Sequence, residues 1–230
     1  MLQKRQRLRR PGMVLIDLDG TLVDTAPDLA HCVDLTMTEL GLPERGEEAV
    51  RGWIGNGVPV LVHRALTGTQ DEKAEPQQHQ QALAIFMKHY EHNVCVHSRP
   101  YPGVLEGLEG LSDAGVRLGC VTNKPARFTG PLLEALSLSR FFGVVVSGDT
   151  LEKKKPDPAP LLYAARILES RPEDSLMVGD SMHDVQAARA AGFQVACVSY
   201  GYNHGHDIRD AGPDAVIGSL AELPSLLAID

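Results

Sequence analysis

The chain has 230 residues, the length of one large domain or two small ones, and it is long enough to bury a core without disulfides or structural metals. Its 43% hydrophobic and 23% charged residues are typical of a globular protein and exclude a mainly disordered chain. The formal net charge of −8 argues against a nucleic-acid-binding protein, which needs a basic surface.

The N-terminal segment is basic, because the first ten residues hold five basic side chains and no acid: Lys4, Arg5, Arg7, Arg9 and Arg10. We expect a solvated, frayed end here rather than an arm that binds a partner. The apolar run at residues 13–16 follows it as in a signal peptide, but Asp17 and Asp19 end that run too early for one.

The cysteines and the apolar runs predict a cytoplasmic location. The four cysteines are widely separated and form no C-x-x-C pair, which argues against a zinc site or a disulfide scaffold: Cys32, Cys95, Cys120 and Cys197. Such thiols fit a reducing compartment. No apolar run approaches the roughly 18 residues of a membrane-spanning helix, so we expect no membrane association.

The first predicted elements are a strand and a helix. Residues 13–18 form a short apolar run that predicts a buried strand. Thr25, Pro27 and Asp28 then indicate a helix start, with a hydroxyl cap, a proline in the first turn and an acid at the positive helix end. Gly41 ends this helix.

The stretch that follows has only helical patterns. From residue 47 to about residue 93, apolar side chains recur at helical spacing on two separate faces, and a polar connector at residues 67–79 lies between them. Residues 26–97 are therefore expected to form an all-helical unit.

After a turn at residues 99–103, predicted strands and helices alternate. The strand candidates are residues 117–121, 144–147, 176–178, 195–198 and 215–217. The helix candidates are residues 104–113, 128–136, 158–168, 184–191 and 220–227. This alternation predicts an α/β fold, a Rossmann-like parallel sheet with helices on both faces. We expect residues 1–25 and 98–230 to form this core, and residues 26–97 to be a helical cap inserted into it.

Polar residues follow several of the predicted strands, where ligands of open α/β sheets bind. Asp17 and Asp19 would face the same side of a continuing strand, and two adjacent carboxylates need a proton or a cation between them. Asp180 adds a third acid and Asp184 a possible fourth, a set that suits Mg²⁺. Each of these acids could instead cap a helix or stabilise a turn. For Asp184, helix capping and a role in catalysis remain equally open.

This residue set also suits phosphoryl transfer. A carboxylate held by a metal ion can attack phosphorus, and a second acid can protonate the leaving oxygen and later deprotonate water. Lys155 would supply positive charge for a phosphate, although a solvated loop lysine is its alternative reading. Thr122 and the backbone N–H groups beside it can donate to phosphate oxygens.

Four segments together resemble the signatures of the haloacid dehalogenase (HAD) superfamily of phosphatases, in the expected order. They are Asp17-Leu18-Asp19-Gly20-Thr21-Leu22, Val121-Thr122-Asn123-Lys124, Lys155-Pro156-Asp157-Pro158, and Val178-Gly179-Asp180-Ser181-x-x-Asp184. The predicted helical insertion resembles the small cap of one subclass of this superfamily.

The resemblance implies a role for each acid. Asp17 would be the nucleophile and a Mg²⁺ ligand, and Asp19 would be the general acid/base and bind Mg²⁺ through its backbone carbonyl. Asp180 would bind Mg²⁺ and Asp184 would support the site from behind. The acid at position 19 is absent from the dehalogenase branch, so the chain is similar to the phosphoryl-transfer members.

The resemblance also implies how the phosphate is bound. Thr122 and the backbone of Asn123 would bind its oxygens, and Lys155 would bridge the nucleophile and the phosphate. In the cap, Arg51 or Asn56 could meet a substrate carboxylate, or the segment could be a plain turn with Arg51 as a surface charge.

Residues 22–29, 50–57 and 199–203 are further similar to the bacterial phosphoglycolate phosphatase family. This implies a Mg²⁺-dependent phosphatase that hydrolyses 2-phosphoglycolate to glycolate and phosphate. The alternatives are a sugar-phosphate phosphatase or phosphosugar mutase of the same fold and, more remotely, a non-catalytic interaction protein. The expected partner is a small-molecule phosphate ester, with the chain a monomer or small homo-oligomer.

Overall fold

The computed structural model describes residues 8–227 of the chain. Its strands are, in chain order, β1 (Met13–Ile16), β2 (Val23–Asp24), β3 (Arg99–Pro100), β4 (Arg117–Val121), β5 (Val144–Val146), β6 (Ser175–Gly179), β7 (Gln194–Val198) and β8 (Ala215–Ile217). Its α-helices are α1 (Ala26–Glu39), α2 (Glu47–Arg51), α3 (Val58–Thr67), α4 (Pro76–His92), α5 (Val104–Asp113), α6 (Ala126–Ala135), α7 (Ala159–Ile167), α8 (Met182–Ala191) and α9 (Leu223–Leu226).

Six strands form one parallel sheet in the order β5-β4-β1-β6-β7-β8. The first strand of the chain therefore lies inside the sheet, between β4 and β6. All four of its residues are buried, as expected for a strand covered on both faces. The predicted α/β fold with a parallel sheet is confirmed.

Apolar side chains cover both faces of the sheet. Successive residues of a strand point to opposite faces, so Val14 and Ile16 join one apolar cluster, whereas Met13 and Leu15 join the other. The cluster around Val14 and Ile16 also contains side chains of the helices that follow β2, such as Tyr90 of α4. The apolar faces predicted for those helices are therefore buried with the core.

Between β2 and β3 every regular element is an α-helix, as the sequence predicts for residues 26–97. The short strands β2 and β3 pair antiparallel where the chain leaves the sheet domain and returns to it. These two strands were not predicted, because a strand of two residues is too short to show an alternation of apolar and polar side chains. The domain boundaries at residues 25 and 98 remain predictions.

Asp28 connects the two segments by which the chain leaves the sheet and returns to it. Its buried carboxylate accepts hydrogen bonds from the backbone N–H groups of Val96, His97 and Ser98, at 2.8–3.1 Å, and from the Ser98 hydroxyl at 2.6 Å. Asp28 lies in the first turn of α1. The acid predicted to stabilise a helix start therefore also fixes the segment by which the chain returns to the sheet.

Several predicted element ends differ from those in the structure, for example the starts of α6 and α8 by two residues. The strand predicted over residues 13–18 ends at Ile16, and the helix predicted over residues 220–227 is a 3-10 turn followed by the short α9. At the N-terminus Leu8 is buried, and the backbone N–H of Arg9 donates to Gln194 at 2.7 Å. The predicted frayed end is thus wrong for Leu8 and for the backbone of Arg9. The side chains of Arg9 and Arg10 are exposed, as expected, and residues 1–7 lie outside the described residues. No helix within residues 8–227 is long and apolar enough to cross a membrane.

Candidate active site

Three neighbouring strands bring polar side chains to one edge of the sheet. The carboxyl ends of β1, β4 and β6 are adjacent, and the residues directly after them are Asp17, Thr122 and Asp180. The backbone N–H of Asp17 still donates to the carbonyl of Val178, at 2.9 Å, although the strand has ended. The structure therefore brings together residues that are up to 163 positions apart in the chain.

Three acids form a cluster at this edge. One carboxylate oxygen each of Asp17, Asp180 and Asp184 lies within 4.8 Å of the others. Asp180 is held by the Thr21 hydroxyl at 2.7 Å and by the backbone N–H of Tyr202 at 2.5 Å. A set of buried, oriented carboxylates fits a hard cation such as Mg²⁺.

Burial makes ionisation of this cluster costly. The pKa of Asp17 is raised to about 7. Burial is the largest cause, the Lys155 charge opposes it, and the charges of Asp184 and Asp19 act in the same direction as burial. Burial also raises the pKa of Asp180 well above its usual range, with the charges of Asp184 and Asp17 acting in the same direction. A bound cation or a proton would therefore stabilise the cluster at neutral pH.

Asp184 caps a helix, one of the two roles left open by the sequence, and it also belongs to the three-acid cluster. Its Oδ2 accepts from the backbone N–H of Asp180 at 3.3 Å and from the N–H and hydroxyl of Ser181 at 3.1 and 2.7 Å, at the start of α8. Its Oδ1 lies 2.7 Å from Nζ of Lys155. A Cβ on Gly179 would lie 2.3 Å from Cγ of Asp184, so this carboxylate can approach only because residue 179 is a glycine.

Lys155 is a buried component of the site and not a solvated loop lysine. Its Nζ lies 2.8 Å from Oδ1 of Asp17 and donates to the carbonyl of Val121 at 2.8 Å, in addition to its contact with Asp184. Burial opposes its charged form, but the charges of Asp17 and Asp184 prevail and raise the pKa of Lys155 above its usual range. The neighbouring Lys153, by contrast, is exposed.

Asp19 lies apart from the three-acid cluster. Because β1 ends at Ile16, the strand alternation expected to align Asp19 with Asp17 does not reach it. Its Oδ1 instead accepts from the Thr25 hydroxyl at 2.7 Å and from Nζ of Lys124 at 2.8 Å. Asp19 therefore occupies the side of the site next to the cap helices.

Lys124 is a site residue that the sequence analysis missed. Its side chain is only 2% exposed, and its Nζ lies 4.9 Å from the ring centroid of Tyr90 on α4. Burial opposes its charge, yet the Asp19 charge prevails and raises the pKa of Lys124 above its usual range. The sequence feature that could have identified Lys124 as a site residue is its position in the second signature, two residues after Thr122.

Asn123 connects the sheet edge to the cap. Its Nδ2 donates to the carbonyl oxygens of Gly55 at 3.2 Å and Lys155 at 3.1 Å. Its buried Oδ1 has no hydrogen-bond partner among the described residues. The hydroxyl of Thr122 accepts from the backbone N–H of Lys124 at 3.1 Å, which orients the loop after β4.

A narrow cavity lies between this edge and the helices; about 30 Å³ of it is open to a water-sized molecule, and its empty space is about 420 Å³ when the open mouth is included. The sheet side is polar and the cap side is mostly apolar. The lining residues are Asp17, Asp19, Leu29, Ile54, Gly55, Gly57, Val58, Leu61, Thr122, Asn123 and Lys124.

Arg51 and Asn56, the predicted contacts of a substrate carboxylate, do not line this cavity. The Arg51 guanidinium pairs with Asp24 at 2.9 Å and with Glu47 at 2.6 Å. The Asn56 side chain lies 3.0 Å from His183 and also 3.0 Å from Arg64. In this arrangement, therefore, neither side chain reaches a ligand in the cavity.

The cap segment at residues 52–57 is held against the sheet edge by polar contacts, including the one from Asn123. The carbonyl oxygen of Gly52 lies 2.8 Å from Nδ1 of His204, and Lys154 donates to the Asn56 carbonyl at 3.0 Å. These contacts hold the segment whose residues Ile54, Gly55 and Gly57 line the cavity. No periodicity in the sequence indicates them, because they join residues 68 to 152 positions apart.

The four signatures, the parallel sheet and the acid cluster define a class of enzyme. The sequence model of the haloacid dehalogenase-like hydrolase family matches residues 14–198, and the chain belongs to that family.

Individual relatives cover nearly the whole chain. It is 55% identical to a phosphoglycolate phosphatase of Nitrosococcus oceani over 96% of this chain and 98% of that protein. It is 50% identical to a phosphoglycolate phosphatase of Thiobacillus denitrificans over 91% and 92% of the two chains. A crystal structure of a predicted phosphoglycolate phosphatase from Haemophilus somnus 129pt has a TM-score of 0.89 and 34% identity, over 95% of this chain and 99% of that one.

Proposed function

We propose that the chain hydrolyses 2-phosphoglycolate to glycolate and phosphate through an aspartyl-phosphate on Asp17. The observation that carries the reaction class is the partly buried Asp17 carboxylate, which lies beside Lys155 and two further acids at the end of the central strand. The substrate is proposed from the names of the relatives that are about half identical over nearly the whole chain.

Asp17 is assigned as the nucleophile because one of its oxygens is held and the other is available. Oδ1 accepts from the backbone N–H of Leu18 and forms an ion pair with Lys155, whereas Oδ2 accepts no hydrogen bond from residues 8–227. In the first step a carboxylate oxygen bonds to phosphorus as the bond from phosphorus to the glycolate oxygen breaks. Thr122 and the backbone N–H of Asn123 donate to the phosphate oxygens, whose charge Lys155 also balances.

Asp19 is assigned as the acid and base of the two steps. It gives a proton to the glycolate oxygen as that oxygen leaves. It then takes a proton from the water molecule that attacks phosphorus and releases Asp17. Its position on the cap side of the site, 2.8 Å from Lys124, suits contact with the leaving group rather than with the transferred phosphate.

Mg²⁺ is the proposed cofactor. The carboxylates of Asp17 and Asp180 and the backbone carbonyl of Asp19 would hold it, and Asp184 would support them through Lys155 and the start of α8. When bound, the ion supplies positive charge that offsets the repulsion between the carboxylates and the phosphate. The raised pKa values of Asp17 and Asp180 agree with a site that needs such a charge.

The remaining proposals concern the setting of the reaction. We infer a small-molecule phosphate ester as the partner, and no nucleic acid because the net charge is −8. A cytoplasmic location is supported by the four free cysteines. A monomer or small homo-oligomer is proposed, which size-exclusion chromatography with light scattering will test.

A screen of phosphate release tests the proposed function. The purified protein with Mg²⁺ is assayed on 2-phosphoglycolate and on a panel of sugar phosphates, with Asp17→Asn as the inactive control. The proposal expects the highest kcat/KM for 2-phosphoglycolate. A higher kcat/KM for a sugar phosphate, or transfer of labelled phosphate between sugar hydroxyls without release, would reject the assigned substrate in favour of the alternatives of the same fold.

A further inference from the structure

Lys124 places an ammonium group in the wall of the cavity, beside the proposed acid. Its Nζ lies 2.8 Å from Oδ1 of Asp19, and both side chains line the cavity. An ammonium has three N–H donors, and the carboxylate of Asp19 accepts one of them. A further side of the ammonium faces the ring of Tyr90 at 4.9 Å. The group is thus desolvated while it still has hydrogen-bonding capacity.

Among the described residues, Lys124 is the only cationic side chain that lines the cavity. The cap side of the wall consists of apolar side chains and glycines: Leu29, Ile54, Gly55, Gly57, Val58 and Leu61. The nearby basic side chains have other partners. Arg51 pairs with Asp24, and Arg64 binds the carbonyl of Trp53 at 2.7 Å.

We propose that Lys124 is the residue that selects the substrate, by binding a second anionic group on the leaving-group side. This inference rests on the proposed function and replaces Arg51 and Asn56 as the contact of the substrate carboxylate. Asp19 protonates the leaving oxygen, so that oxygen lies next to Asp19. In 2-phosphoglycolate a single CH₂ group separates this oxygen from the carboxylate. A carboxylate so close to Asp19 is within reach of the neighbouring ammonium.

The physical basis is the low polarity of the surroundings. A charge-assisted hydrogen bond is stronger when water is excluded, and no cation on the cap side lines the cavity; Lys154, beside the cap segment, donates to the carbonyl of Asn56. An ester that lacks the carboxylate cannot make this contact. Lys124 therefore favours 2-phosphoglycolate over a neutral alcohol ester of the same size, whereas Lys155 acts on the phosphate group that both esters share.

The test compares 2-phosphoglycolate with ethyl phosphate, which has the same two-carbon skeleton without the carboxylate. The measured quantity is the ratio of the two kcat/KM values. Replacement by Lys124→Met is expected to reduce this ratio about 10- to 100-fold, the range for a hydrogen bond to a charged group. Misplacement of Asp19, or a general loss of structure, lowers both kcat/KM values together and leaves the ratio unchanged.

Matched variants separate Lys124 from other basic residues. Lys153→Met removes an exposed lysine that pairs with Asp157 outside the cavity and is expected to keep the wild-type ratio. Arg51→Met is expected to keep it as well. If Lys124→Met does not fold, Lys124→Gln and Lys124→Arg replace it, and only the variant that keeps the positive charge is expected to retain the preference.

Each outcome supports or overturns the assignment. An unchanged ratio in Lys124→Met or Lys124→Gln, or a ratio lost in Arg51→Met alone, overturns the role of Lys124 and leaves the proposed function standing. A wild-type enzyme that releases phosphate from both esters without preference overturns Lys124 as a selecting residue and the assigned substrate together. Loss of the preference only in the Lys124 variants that lack a positive charge supports the proposal.

Discussion

The ammonium nitrogen of Lys155 lies 2.8 Å from Oδ1 of Asp17, the carboxylate that ends the central strand of the sheet. The same nitrogen lies 2.7 Å from Asp184, so one cation holds two acids in a region from which water is largely excluded. This contact keeps the Asp17 side chain in one orientation and leaves its Oδ2 available. A nucleophile that must attack phosphorus in line needs this kind of positioning.

Asp17→Asn is expected to abolish phosphate release at saturating Mg²⁺, because an amide oxygen cannot replace the carboxylate as a nucleophile. The variant is expected to have a melting temperature at least as high as that of the metal-free wild type, because it removes a charge whose burial is costly. Phosphate release and thermal denaturation measure the two effects. Asp113→Asn, at an exposed position, is the control and should retain full activity. An active Asp17→Asn variant would reject the nucleophile assignment.

Lys155→Met is expected to lower both activity and stability. It leaves Asp17 and Asp184 buried without their cation, which costs about 3–5 kcal/mol of unfolding free energy. Loss of the charge beside the phosphate lowers kcat by about 10²- to 10³-fold. Urea denaturation and steady-state kinetics measure these effects, and Lys153→Met is the matched control. A Lys155→Met variant with wild-type stability would contradict the structural role of Lys155.

Removal of Mg²⁺ is expected to make stability fall as pH rises. Because the folded-state pKa of Asp17 is raised from 3.8 to about 7, the folded protein binds more protons than the unfolded chain between these values. The stability that Asp17 contributes is therefore fully present below about pH 4 and is lost as pH rises through about 7. Mg²⁺ binds the ionised carboxylates, so the stabilisation it provides should increase over the same interval.

Thermal denaturation from pH 5 to 8, with Mg²⁺ or with EDTA, measures this effect as the difference in melting temperature. The Asp17→Asn variant is expected to show a smaller dependence of that difference on pH. A difference that is constant over the interval in the wild type would argue against the ionisation of these acids on metal binding.

Gly201→Ala is expected to weaken Mg²⁺ binding. A Cβ at this position would lie 2.1 Å from Cβ of Asp180, so the Asp180 side chain must move. The Mg²⁺ concentration for half-maximal activity should rise about 10- to 100-fold, as for other changes behind a metal ligand. Gly130→Ala is the control, because a Cβ there meets no atom within 4 Å. Equal Mg²⁺ requirements in the two variants would show that Asp180 is not a ligand.

Much of the fold could be predicted from the sequence because it depends on local patterns. The apolar runs and their spacing predicted the parallel strands and the helices, and the polar residues after those runs predicted that Asp17, Thr122 and Asp180 meet at one edge. These inferences need only the alternation of apolar residues and the rule that parallel strands end at the same edge. Asp19 departed from its expected place because the strand ends at Ile16, one residue before the first acid.

The walls of the cavity were decided by the tertiary structure alone. Asp19 and Lys124 are 105 positions apart, and their ion pair forms because the loop after β4 packs under α4. Arg51 reads as a substrate contact in the sequence, yet a carboxylate 27 positions away pairs with it in the folded chain. By itself the sequence determined the sheet, the helical insertion and the four acids. The position of Lys124 beside Asp19 depends on contacts between segments that are distant in the chain. No periodicity or local motif in the sequence encodes such contacts.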